Sequence, residues 1–230
     1  MATTKAPSLA HKRRRDLLKR PEAKGDPRKQ NLWVIRAFDG SRIVLASDLA
    51  LHHFLFTEGD PSVSTVCYYY RPSPDDVDAG GICFDALVTF CNGSKVCRHV
   101  RAASSDLSVP RQAEHFQACQ RAARDVGASY AEITAAELDR SVQRIRNWTR
   151  LLAAYRRCAH RPLDVLEKLL IVHLTRAGQS TIQTALTWIP DASHALVIAA
   201  LARLLRKRQI ASDLDEATWS LHTRIGVTTP

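Results

Sequence analysis

Phe84-Asp85-Ala86-Leu87-Val88-Thr89-Phe90-Cys91-Asn92-Gly93-Ser94-Lys95-Val96-Cys97-Arg98-His99-Val100-Arg101 is the stretch that decides how the chain folds. Phe84 to Phe90 alternates as a half-buried strand does. Asn92-Gly93 signals a hairpin turn, because both residues tolerate the positive φ that tight hairpins require. Lys95 to Arg101 is then the return strand. Side chains two apart on a strand share a face, so Cys97, His99 and Arg101 point one way and Val96, Arg98 and Val100 the other.

An Asp that opens one strand, facing an i, i+2 pair on its partner, is the layout of a metal-dependent nuclease hairpin of the PD-(D/E)xK type. That chemistry places an acid and a lysine at the i and i+2 positions. The two carboxylates hold Mg²⁺, which wants hard oxygen ligands, and the lysine orients or deprotonates the attacking water. Here Asp85 supplies the first carboxylate, but the pair is His99 and Arg101. Arg101 stays protonated and cannot act as a base. His99 suits Zn²⁺ or Mn²⁺ better than Mg²⁺. A plain amphipathic hairpin accounts for the same residues without any chemistry.

The neighbouring sequence adds to this. Phe54-Leu55-Phe56-Thr57-Glu58-Gly59-Asp60-Pro61-Ser62-Val63, Tyr68-Tyr69-Tyr70-Arg71-Pro72, Phe84-Asp85-Ala86-Leu87-Val88, Arg98-His99-Val100-Arg101-Ala102 and Tyr130-Ala131-Glu132-Ile133-Thr134 occur in that order. Together they resemble the TnsA-type endonuclease subunit of heteromeric bacterial transposases, over roughly residues 31 to 225. The resemblance implies a restriction-endonuclease-like α/β domain, a mixed sheet flanked by helices, followed by an all-α, winged-helix-like C-terminal domain. It also implies double-stranded DNA, a DDE-type transposase subunit and an ATP-using transposition regulator as partners. A bacterial, cytoplasmic, nucleoid-associated location goes with them. Mg²⁺ is the implied cofactor if the chain is active, with Asp85 as the metal ligand, and otherwise no cofactor is implied. The departures fall on the catalytic positions. Ala50 stands where the family carries a helix-borne Glu, with Asp48 two residues away on another side of the helix. His99 and Arg101 replace the acid and the lysine. Asp85, His99 and Arg101 therefore outline a degenerate site.

The formal net charge is +10, and it is concentrated. Residues 1–30 hold ten Lys or Arg against three acids, a net of +7. This arm has little to bury and reads as disordered, with Lys12, Arg13, Arg14 and Arg15 suited to phosphate. A second cluster includes Arg144, Arg146 and Arg150 on a helical stretch. A third, Arg203, Arg206, Lys207 and Arg208, closes a C-terminal helix. Three clusters favour a nucleic-acid partner.

The 45% hydrophobic content suffices for packed cores. No uncharged apolar run approaches the ~18 residues of a membrane span, and no apolar h-region follows the basic N-terminus. Membrane partners are not expected. The six cysteines lack Cys-x-x-Cys spacing, which favours reduced thiols over a disulfide framework. Cys91, Cys97 and His99 share the hairpin, but no fourth zinc ligand is evident.

The expected organisation is an arm (1–30), the nuclease-like domain (31–145), a helical connector (146–161) and the winged-helix-like domain (162–230). Within the last, helices are expected over Leu163–Arg176, Thr181–Trp188 and Ser193–Arg208, with wing strands at Ile210–Leu214 and Ala217–Thr223. The third helix lacks polar residues over 195–202, so it suits protein packing better than base reading. Two functions stand against each other. One is a catalytically impaired DNA-binding subunit. The other is an active metal-dependent endonuclease that cleaves transposon ends with an atypical site around Asp85. An unrelated basic RNA-binding protein is a third.

Overall fold

The computed structural model describes residues 32–38, 40–72, 82–101 and 109–228. The basic arm, with its run 12–15, and most of the acidic loop before the hairpin lie outside the described residues. Two compact units are present. Among the described residues, one comprises the stretch ending at Ile35, Ile43–His53 and Ser62–Leu138; the other comprises Arg36–Arg42, Phe54–Pro61 and the chain from Asp139 onward.

A short two-stranded ribbon, β1 (Trp33–Arg36) and β2 (Arg42–Leu45), precedes helix α1 (Asp48–Glu58). The Ser47 hydroxyl accepts a hydrogen bond from the Ala50 N–H at 3.0 Å, capping the first turn. The first unit is then built on a four-stranded sheet of β3 (Val63–Tyr68), β4 (Ala86–Phe90), β5 (Lys95–Arg101) and β6 (Ser129–Thr134), in that spatial order. β3, β4 and β5 run antiparallel, while β5 and β6 are parallel. A parallel pair needs a long crossover, and helix α2 (Val109–Asp125) lies within it. One core gathers Phe84, Cys97, Cys119, Ala123 and Ala128; a second gathers Val63, Ala86 and Val88.

The hairpin turn forms where the sequence places it, but by a different device. Gly93 takes φ +82° and donates its N–H to the Phe90 carbonyl at 3.0 Å. Asn92 keeps a negative φ. Its side-chain oxygen instead accepts from the Ser94 N–H at 3.0 Å and from the Ser94 hydroxyl at 2.7 Å. One left-handed glycine after a turn, rather than two left-handed residues, closes the loop.

Helix α3 (Ala135–Arg140) follows β6 through a reciprocal cap. Thr134 N–H donates to Glu137 Oε2 at 2.7 Å, and Glu137 N–H returns to Thr134 Oγ1 at 3.3 Å. The second unit contains α4 (Val142–Cys158), α5 (Asp164–Ala177), β7 (Gln179–Thr181), α6 (Ile182–Thr187), α7 (His194–Arg206), β8 (Ile210–Ser212) and β9 (Arg224–Val227). Its three strands form an antiparallel sheet in the order β7-β9-β8. α7 is the core of this unit, with Val197, Leu201 and Leu204 fully buried. α4, expected as a connector, packs along α7 through a face that includes Ile145, Trp148 and Leu151.

The last strand departs from expectation. Residues 217–223 form turns, and the strand is Arg224–Val227. The cause is the buried Asn147 on α4. Its Nδ2 donates to the carbonyls of Leu214 (2.7 Å) and Ala217 (2.8 Å), and its Oδ1 accepts from the Trp219 N–H (2.8 Å). A side chain from α4 thus takes the backbone partners that a ladder would have used. β7 is three residues long, too short to leave a periodic signal.

Candidate functional site

Asp85 sits where the chain joins β4. Its N–H donates to the Arg98 carbonyl at 2.9 Å, and its own carbonyl accepts from the Tyr69 N–H at 2.9 Å. Its Oδ2 accepts from the Val100 N–H at 2.8 Å. A carboxylate oxygen thereby takes the ladder place of a main-chain carbonyl. Burial pushes its pKa up, while the Val100 hydrogen bond and the nearby His99 pull it down.

His99 lies beside Asp85, as the register of β4 on β5 requires. Its Nε2 contacts the Cys83 carbonyl at 2.9 Å, so that nitrogen carries the proton. Its Nδ1 faces the Tyr130 hydroxyl at 3.1 Å and the Cys119 sulfur at 3.7 Å. Cys119 Sγ also lies 3.5 Å from His115 Nε2, one turn earlier on α2. The His99 and His115 rings are stacked, with centroids 5.7 Å apart. One ligand atom from each of His99, His115 and Cys119 lies within 4.8 Å of the other two. Among the described residues, this is the one group of three or more His, Cys, Asp or Glu side chains placed to hold a metal ion, and Asp85 is outside it. The hairpin trio of Cys91, Cys97 and His99 is not that group. Cys91 is exposed, and Cys97 is buried in the core.

Arg101 does not turn toward an ion or a base. Its Nη1 bridges both oxygens of Glu132 at 2.8 Å each. Glu132 is the partner of His99 across the parallel β5–β6 register, and Tyr130 donates its hydroxyl proton to Glu132 Oε1 at 3.1 Å. On α1, Asp48 Oδ1 accepts from the indole N–H of Trp33 at 2.7 Å. His53 on α1 feels the charge of Arg98 on β5. Arg98 alternates with His99 and so belongs to the opposite face.

The basic residues divide sharply. Arg144 makes paired bonds of 2.7 and 2.6 Å to Asp215 and lies over the Phe56 ring at 5.2 Å. Burial opposes its charge, but Asp215 and Asp60 more than compensate and raise its pKa. Three members of the third cluster are likewise held by acids. Arg203 pairs with Glu167 and Asp164, Arg206 with Glu58 at 2.6 Å, and Lys207 with Glu167 at 2.7 Å. Arg146 and Arg150, by contrast, are exposed on α4, as is Arg157. These three recur at i, i+4 and i+11, so they share one face of the helix. Arg36, Arg42, Arg156 and His160 line a cavity of about 640 Å³ in the same unit.

No protein-family model matches the chain, and no curated protein matches it. The class that fold and site define is a mixed α/β domain bearing a His/His/Cys cluster, followed by a mostly helical C-terminal region. No helix among the described residues is long and apolar enough to cross a membrane. Sequence reasoning missed His115 and Cys119. The signal was present: the two lie four apart and share the face of α2 that carries the buried Ala123.

Proposed function

We propose that the chain is a DNA-binding, TnsA-like subunit of a transposition complex, catalytically impaired, that docks a DDE-type transposase and an ATP-using regulator. The observation that carries the DNA-binding reading is the Arg146–Arg150–Arg157 ridge on α4. Three exposed guanidinium groups on one helix face span about 16 Å at 1.5 Å per residue, whereas Arg144, Arg203 and Arg206 of the same unit are paired with acids. The order helix, three antiparallel strands, crossover helix, parallel strand supports a restriction-endonuclease-like scaffold. The order helix, strand, two helices and two further strands supports a winged-helix-like second domain. With α7 buried in its own core, the docking surface moves to α5. There Val165, Leu169 and Val172 form an exposed apolar stripe at i, i+4 and i+7.

Loss of catalysis follows from the chemistry of the site. Asp85 commits one oxygen to Val100, Arg101 is neutralised by Glu132, and the residues that converge are nitrogen and sulfur donors. The second reading, an active endonuclease with an atypical site, is favoured by one observation. Glu132 provides a second carboxylate on the strand next to His99. Arg101 holds it, so the impaired reading is preferred.

The test is duplex binding by the full chain across a salt series, against the triple variant Arg146→Ala, Arg150→Ala, Arg157→Ala. The variant is expected to bind more weakly, with the slope of log K on log salt shallower by about 0.9 for each phosphate that is no longer neutralised. An unchanged affinity and slope would remove the ridge from the DNA surface.

A further inference from the structure

We propose that His99 Nδ1, His115 Nε2 and Cys119 Sγ bind one zinc-class dication, which ties helix α2 to strand β5. Zinc holds thiolate sulfur at about 2.3 Å and imidazole nitrogen at about 2.0–2.1 Å in a tetrahedron, which puts sulfur and nitrogen about 3.6 Å apart. The two sulfur–nitrogen separations are 3.7 Å to His99 and 3.5 Å to His115. The three ligand atoms already lie within 4.8 Å of one another. His115 is exposed, so its ring is free to close the remaining gap.

The proton count around His99 points the same way. Nε2–H is committed to the Cys83 carbonyl, which fixes the tautomer and leaves a lone pair on Nδ1. A carbonyl bonded to the far nitrogen is the usual companion of a metal-bound imidazole. Tyr130 has one hydroxyl proton, and Glu132 Oε1 takes it. The Tyr130 oxygen that faces Nδ1 at 3.1 Å then offers it a lone pair rather than a proton. The Cys119 sulfur, 3.7 Å away, faces the same lone pair, and a cation between the two would be held by both.

The donor set chooses the ion. Two imidazoles and a thiolate favour zinc over magnesium or calcium. Zinc takes cysteine as the thiolate, so binding at Cys119 Sγ would release the thiol proton. Two ligands come from successive turns of one helix and the third from a strand, so both elements hold the geometry rigidly. The exposed His115 side leaves a fourth position for water. The inference rests on side-chain geometry and is independent of DNA binding.

The experiment titrates the metal-free full chain with Co²⁺ alone, then with Zn²⁺ as competitor, and reads the thiolate-to-cobalt charge-transfer band. One ion per chain is expected, with Zn²⁺ displacing Co²⁺ and raising the melting temperature. Cys119→Ser should abolish the band. His115→Ala alters an exposed residue, so the fold persists, and Zn²⁺ affinity should fall at least about tenfold. Absence of a thiolate band in the unaltered chain would overturn the site and leave a hydrogen-bonded network with a proton in the ion's place. Unchanged binding in both variants would overturn it as well, because another of the six cysteines would then be the ligand.

Discussion

Asp85 and His53 respond to pH in opposite directions within the first unit. The Asp85 carboxylate completes the β-ladder at Val100, so an acceptor at that position matters more than a charge. Asp85→Asn is expected to fold with nearly the stability of the unaltered chain, while Asp85→Ala loses about 1–2 kcal/mol by orphaning a main-chain N–H. Urea unfolding of the two variants checks this, and equal losses would contradict it. His53 is 2% exposed, and burial first and the Arg98 charge second push its pKa from 6.5 down to about 3. Between those values the unfolded chain binds a proton that the folded chain refuses. The stabilising contribution is therefore complete above pH 6.5 and falls as pH drops, by at most about 1.4 kcal/mol per pH unit. Asp85 works the other way, since its raised pKa means that protonation favours the fold as pH falls. Urea midpoints between about pH 7 and pH 5 should drop, and His53→Gln should flatten that drop. A slope that survives the substitution would assign it to other groups.

Elements are legible in the sequence where local chemistry and periodicity agree. The β4–β5 hairpin follows from alternation around Asn92-Gly93, and α2 from an apolar face that includes Cys119 and Ala123. The first strand of the C-terminal hairpin falls within the expected Ile210–Leu214, but the place of the second is not legible, because Asn147 lies about 70 residues before the loop it organises, and no local pattern reports that. Asn147→Ala is accordingly expected to cost about 2–4 kcal/mol, since three strong bonds end on one fully buried amide. A loss below about 0.5 kcal/mol, the range of surface changes, would mean that the loop holds itself. His99 and Arg101 of the nuclease-like motif fall in the expected strand and Asp85 at the entry to β4, but their partners differ. Arg101 stands in the place of the motif's lysine, and Glu132 on the neighbouring strand β6 claims it. The cations of α7 are expected to face nucleic acid, and Glu58 and Glu167 claim them. Ion pairing between distant segments is what a linear reading of charge cannot supply. On α5, Val165→Lys and Val172→Lys should leave stability within about 0.5 kcal/mol, because these side chains are 68% and 45% exposed. The same changes should abolish co-purification with a partner transposase. Retained association would move docking elsewhere.

At the scale of the whole chain, the charge is divided between residues 1–30 and the remainder of the sequence. Residues 1–30 hold +7 of the net +10. Removing them should weaken duplex binding and flatten its salt dependence, by about 0.9 in slope for each phosphate the arm neutralises. The α4 ridge should then supply the binding that remains, and a truncated chain with the full salt slope would show that the arm only adds solubility. Under the proposed function, a nuclease-like scaffold binds DNA without hydrolysing it. The most direct measurement is strand cleavage of duplex DNA by the full chain in Mg²⁺ and in Mn²⁺, beside Asp85→Asn, which keeps the Val100 bond but removes the carboxylate charge. Both proteins are expected to bind the DNA and leave it uncut in both metals. Efficient cleavage by the unaltered chain, lost in Asp85→Asn, would contradict that reading.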